Sequence, residues 1–157
     1  MLRLRTVNPA DIETLVSWFP DAAAVRDWAG PGLSWPLDRA VLEAHRAEPT
    51  VYSWAACCPP DELLVGYIEL VRLSADAGRL DRVAIAPAER GKRLGVSLVT
   101  AALEQARRIG LNTVDLLVFA ENQPARHTYT AVGFNDHGGL PDYPSVIRMS
   151  LDLRTPG

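Results

Sequence analysis

Ile85-Ala86-Pro87-Ala88-Glu89-Arg90-Gly91-Lys92-Arg93-Leu94-Gly95 is the stretch on which the reading of this chain turns. An apolar strand runs out at Ile85, turns at a proline, and passes through glycines among basic residues into Leu94, Leu98, Ala101, Ala102, Gln105 and Ile109 at helical spacing. The segment reads as strand, loop, then an amphipathic helix to about Ile109, with Gly110 as its stop. Arg90, Lys92 and Arg93 crowd the positive end of the helix macrodipole, where cations are unfavourable. A bound anion reverses that sign. Helix N-termini present unsatisfied N–H groups and glycine lets the backbone approach a ligand, so the loop suits a phosphate; the plainer reading is a solvated basic turn.

Composition frames this loop. The chain has 157 residues, 48% of them apolar and 22% charged, enough for one well-buried domain spanning residues 1–157. Its net charge of −3 comes from interspersed signs, which argues against a general nucleic-acid or membrane binder. No apolar run approaches the roughly 20 residues of a membrane span, and Met1 leads straight into a strand-like segment, so a cytoplasmic protein is expected. Cys57 and Cys58 are adjacent, a strained geometry for a disulfide and too few ligands for zinc; they are expected as thiols, with no metal site.

Residues 2–7 alternate as a strand does, and Asn8 then offers an N-cap with Pro9 and Asp11 in the first turn. Ile12, Leu15, Val16 and Phe19 give the first helix one apolar face. A second helix spans residues 21–28, and a third, capped by Asp38, runs to about Ala47. Between them lies a Gly- and Pro-rich loop, residues 30–36; Trp18, Trp28 and Trp35 either line a pocket there or pack the helices on a sheet. Residues 51–57 and 62–72 form an antiparallel hairpin. On its second strand Val65, Tyr67, Glu69 and Val71 share a face, while Leu64, Ile68 and Leu70 take the other.

Glu69 is conspicuous on a strand apolar on both sides. Desolvation would raise its pKa toward the range where it accepts a proton near neutrality; alternatively it is an edge residue reaching water. Asp81 is a second carboxylate candidate, sharing a face with Val83 and Ile85 unless a bulge intervenes. Residues 113–119 form another strand, Asn122 caps a short helix carrying Tyr129 and ended by Gly133, and residues 145–153 form the last strand. His127 points away from Tyr129 on that helix, and His45 and His137 show no partner pattern.

Strand, Ile85-x-Pro87-x-x-Arg90-Gly91-Lys92-x-x-Gly95, long helix, strand, then Glu121-Asn122-x-x-Ala125-x-x-x-Tyr129-x-x-x-Gly133-Phe134 resembles the GCN5-related N-acetyltransferase superfamily over about the last two-thirds of the chain. The resemblance implies an α/β (α+β) fold, with a mixed, mostly antiparallel central sheet flanked by helices. It also implies acetyl-CoA as co-substrate and a primary amine acceptor, small molecule or protein, that attacks the thioester directly, in a monomer or homodimer. Backbone groups of Val83, Ala84 and Ile85 would pair with the pantetheine arm, and N–H groups of Arg90, Gly91, Lys92, Arg93, Leu94, Gly95 and Val96 would hold the pyrophosphate. Asn122 would touch the coenzyme. Tyr129 stands at the family's position for the acid that protonates the leaving thiolate, and Glu69 or Asp81 would take the amine's proton. Arg93 stands where the family has glycine, which arginine tolerates only if no positive φ is needed there. A catalytically weak acetyl-CoA-binding regulator of the same fold is the alternative, and pocket carboxylates would favour a cationic acceptor.

Overall fold

The computed structural model describes residues 1–30, Leu33 and 35–154, so Pro31, Gly32 and Ser34 of the anticipated loop lie outside the described residues. The elements are β1 (Arg3–Arg5), α1 (Pro9–Ser17), α2 (Ala22–Ala29), α3 (Arg39–Arg46), β2 (Val51–Cys57), β3 (Gly66–Arg72) and β4 (Ala77–Ile85). A 3-10 turn (Pro87–Glu89) leads to α4 (Leu94–Arg108), β5 (Thr113–Phe119), α5 (Gln123–Val132), β6 (Asn135–Gly139) and β7 (Val146–Asp152). The strands form one sheet in the order β1-β2-β3-β4-β5-β7-β6. Only β4 and β5 pair in parallel, because the crossover through α4 brings the chain back in the same direction.

Local chemistry accounts for the helix starts. Asn8 accepts from the Asp11 N–H while the Asp11 carboxylate accepts from the Asn8 N–H, a capping box that satisfies two orphan donors. Asp21, Asp38 and Asn122 cap α2, α3 and α5 with their side chains. Two apolar clusters cover the two faces of the sheet. Ile12, Leu15, Val25 and Leu42 of α1 to α3 pack with Ala55, Tyr67 and Ala84 on one face. Leu98, Val99, Ala102, Leu103 and Ala106 of α4, with Tyr129 of α5, pack with Ile68, Leu70, Leu80 and Leu116 on the other. Each fully buried aliphatic side chain stabilises by about 1.5–3 kcal/mol.

The structure departs from the sequence reading in several places. The α4 stripe is rotated from the anticipated one, toward Val99, Leu103 and Ala106 and away from Ala101 and Gln105, because α4 also packs against α5. There a Cβ on Gly95 would come within 3.3 Å of Thr128 Cγ2. β3 begins at Gly66 rather than at residue 62, and Glu62 instead pairs with Arg3 and Arg5. β6 has no counterpart in the sequence reading, since Asn135-Asp136-His137-Gly138-Gly139 carries no apolar alternation; it forms the sheet edge by pairing with β7. Trp28 is a packing residue, stacked on Phe19 at 4.3 Å and edge-on to Tyr67 at 6.1 Å, whereas Trp35 is 49% exposed. Cys57 and Cys58 are free thiols. Among the described residues no helix is long and apolar enough to cross a membrane.

Candidate active site

The register of β4 organises the site. Glu69 lies opposite Asp81 and Tyr67 opposite Ala84, so β4 carries one residue more than β3 between those pairs. The extra residue is a bulge centred on Arg82, whose φ is +49°. It corrects the expectation that Asp81 shares a face with Val83 and Ile85. Asp81 lies on the side of Glu69, Tyr67 and Ala84, whereas Val83 and Ile85 pack with the opposite cluster.

β4 also parts from β5. Their pairing ends at Arg79↔Asp115, although β4 continues to Ile85 and β5 to Phe119. The side of β4 that faces β5 therefore carries unpaired backbone groups over Val83, Ala84 and Ile85, on a strand whose other edge is fastened to β3. At the end of this opening lies a cleft of about 270 Å³ lined by Asp27 of α2 and by Phe119, Glu121, Asn122 and Pro124.

Beyond the opening, the glycine-basic loop meets α4. Gly91 has φ +80° and Arg93, at the N-cap, has φ +63° and ψ +19°. The position thus does require the left-handed region, and arginine occupies it at a cost, contrary to the condition under which arginine was expected to fit. α4 has no side-chain cap among the described residues, unlike the other four helices. Lys92 pairs with Glu89 at 3.0 Å, while Arg90 and Arg93 are exposed and make no side-chain hydrogen bond or ion pair with the described residues. Leu94, Gly95 and Val96 form the first turn of α4, half-buried. Asn122 spends its side-chain oxygen on the Ala125 N–H, 3.3 Å away.

Tyr129 is 9% exposed, edge-on to Phe134 with ring centroids 6.0 Å apart, and its hydroxyl has no hydrogen-bond partner among the described residues. Burial first, and then the charge of Asp81, push its phenol above the usual range. Asp81 is gripped by Arg79, whose Nε and Nη2 both lie 3.0 Å from its oxygens. Glu69 has no exposed surface, which overturns its reading as an edge residue reaching water. Its Oε1 lies 2.8 Å from His45 Nε2 and 3.1 Å from Arg82 Nη1, and its Oε2 accepts from the Tyr67 hydroxyl at 2.5 Å. Burial and the neighbouring carboxylate push the Tyr67 phenol up. The structure therefore joins Glu69 to Asp81 through Arg82, 3.7 Å from Asp81, and adds His45, Tyr67 and Arg82 to the cluster. Tyr67 was legible at two residues from Glu69 on one strand face; His45 and Arg82 were not, as one arrives on a helix distant in sequence and the other through a bulge.

A family model described as acetyltransferase (GNAT) family matches residues 22–134. A mycothiol acetyltransferase of Brachybacterium faecium is 33% identical over 122 residues, 74% of this chain and 37% of that protein. One from Tsukamurella paurometabola is 40% identical over 60 residues, 38% of this chain and 20% of that protein. The chain thus spans well under half the length of these curated relatives. In fold it is similar to the spermidine N-acetyltransferase of Vibrio cholerae solved with CoA and spermine, with a TM-score of 0.82 at 21% identity over 98% of this chain and 96% of that one.

Proposed function

This chain belongs to the acetyltransferase (GNAT) family, and we propose that it moves the acetyl group of acetyl-CoA to a primary amine by direct attack. The observation that carries the reading is the parting of β4 from β5 beyond Arg79 and Asp115, which leaves a strand edge free beside the uncapped start of α4. A pantetheine arm would add to that edge at Val83, Ala84 and Ile85 as an extra strand does. The N–H groups from Arg90 to Val96 would hold the pyrophosphate, with Arg90 and Arg93 facing it as cations without a side-chain partner among the described residues. Asn122, at the end of the opening, would contact the coenzyme.

Each chemical demand of the transfer has a candidate group. An alkylammonium, of pKa about 10.4, must lose a proton before it can attack, and Glu69 or Asp81, directly or through an intervening group, would draw that proton away. A backbone N–H of the free β4 edge would stabilise the tetrahedral oxyanion. Tyr129, whose burial keeps its proton on, would deliver that proton to the departing thiolate. An amine entering the cleft from the side away from Asn122 would meet Asp27 and Glu121 beside Phe119, a setting that favours a cationic acceptor; the V. cholerae protein holds spermine, itself a polycation. Residues 1–157 would act as one cytoplasmic domain, as monomer or homodimer.

Acetyl-CoA at about 100 times its Kd should stabilise the protein by about 2.7 kcal/mol, raising Tm by roughly 5–10 °C. A panel of amines read by release of free CoA would then identify the acceptor. No thermal shift at millimolar acetyl-CoA would overturn the proposal; a shift with no turnover across the panel would favour a coenzyme-binding regulator instead.

A further inference from the structure

The Glu69 carboxylate cannot meet an amine itself. It has no exposed surface, and both oxygens are engaged from within: Oε1 by His45 Nε2 and Arg82 Nη1, Oε2 by the Tyr67 hydroxyl. The surroundings are equally occupied. On β4, Asp81 is held by Arg79 and approached by Arg82; on α3, Arg46 is bonded to Glu43 and to Ser53 of β2. Side-chain exposure is 22% for His45 and 21% for Asp81, against 12% for Arg82 and 0% for Glu69, and of the two accessible groups Asp81 has its oxygens held by Arg79. The geometry of His45 also sorts its two nitrogens. With Tyr67 and Arg82 already donating to the carboxylate, the group at Oε1 acts as an acceptor, so His45 Nε2 carries hydrogen and Nδ1 presents a lone pair. Nδ1 has no hydrogen-bond partner among the described residues and is not one of their sealed, unpartnered polar atoms.

We infer that His45 is the proton acceptor of the acetyl transfer, taking the amine's proton at Nδ1 directly or across one water, and that Glu69 is the positioning residue behind it. The inference rests on the acetyl-transfer reading above. In the step, an N–H bond of the ammonium breaks and its electron pair stays on nitrogen as the nucleophile. A bond from Nδ1 to hydrogen forms, and the resulting imidazolium faces the Glu69 carboxylate across 2.8 Å. The proton then leaves to water and the neutral imidazole returns. Arg82 and Tyr67 keep the carboxylate from turning away, which is the usual part of the third group in such a relay.

The tautomer can be read without any acceptor. Long-range 1H–15N spectra of the imidazole in the folded protein should show hydrogen on Nε2 of His45, and E69Q should move the Nε2 resonance; hydrogen on Nδ1 would overturn the inference. With the best amine from the CoA-release panel, H45Q, which keeps a donor facing Glu69, should lower kcat about 10²-fold with the KM for acetyl-CoA unchanged. The fall of the wild-type rate on the acid side, where the imidazole would already hold a proton, should vanish in H45Q, and free imidazole should restore part of the rate of H45A. A retained acetyl-CoA thermal shift shows that the variants are folded. Wild-type turnover with kcat and pH profile unmoved in H45Q overturns the relay alone, while loss of the acetyl-CoA shift in the wild-type protein overturns the acetyl-transfer reading and the relay with it.

Discussion

Replacing Arg93 with glycine should make the protein more stable while weakening its hold on the coenzyme. Arg93 sits at φ +63°, where an L side chain costs about 1–2 kcal/mol. Glycine removes that cost but loosens the unfolded chain, returning about 0.4–1 kcal/mol. The net gain is about 0.5–1 kcal/mol, or roughly 1–4 °C in Tm for a domain of this size. R93A separates the backbone from the charge, because it keeps the strained conformation and loses the same cation. In urea unfolding of the free protein, R93G should therefore exceed R93A by about 0.5–1 kcal/mol. In calorimetric titration with CoA the two variants should weaken binding alike, by about 0.5–1 kcal/mol for one solvent-screened contact, a two- to fivefold rise in Kd. R93G no more stable than R93A would refute the strain argument. Unchanged affinity in both variants would refute the contact with the pyrophosphate.

Y129F should cut the acetyl-transfer rate about 10²-fold while changing urea stability by less than about 0.5 kcal/mol, because the hydroxyl has no partner to lose among the described residues. Since burial raises the phenols of Tyr67 and Tyr129 in the folded state, the stability they contribute is whole below about pH 10, where unfolded tyrosine ionises. Above that pH the unfolded chain releases protons that the native chain keeps, so stability should fall by about 1.4 kcal/mol per pH unit for each tyrosine, and Y129F should remove one such increment from the slope. G78A should cost about 1–3 kcal/mol in urea unfolding, since its Cβ would lie 2.7 Å from Leu111 Cδ1 and 3.2 Å from both Leu70 Cδ1 and the Val71 carbonyl oxygen.

Local chemistry is what this sequence carries most openly. Asn8, Asp21, Asp38 and Asn122 stand where a cap must stand, Gly110 and Gly133 where a helix must stop, and the basic loop before Leu94 marks the turn from strand to helix. These features depend on neighbours within a few residues, so the helices, most strands and the family resemblance were readable from the chain alone. β6 was missed because a polar edge strand needs no apolar alternation; its backbone pairing with β7 supplies the order.

The site follows a different logic. Tyr129 was legible because it sits at a fixed distance from Asn122 and Gly133 on one helix, and Glu69 because a carboxylate on an apolar strand stands out. What surrounds them depends on register and on contacts between segments far apart in sequence. One extra residue in β4 turned Asp81 toward Glu69 and away from Val83 and Ile85, and no side-chain pattern encodes a bulge. Packing α3 on β2 brought His45 to Glu69 across 24 positions of sequence. The sequence by itself determined which segments form and which residues carry chemistry, because those are short-range properties of caps, periodicity and charge. Which of those residues meet, and which face the opening between β4 and β5, only the tertiary structure decided, because pairing register and helix docking are settled by the whole core at once.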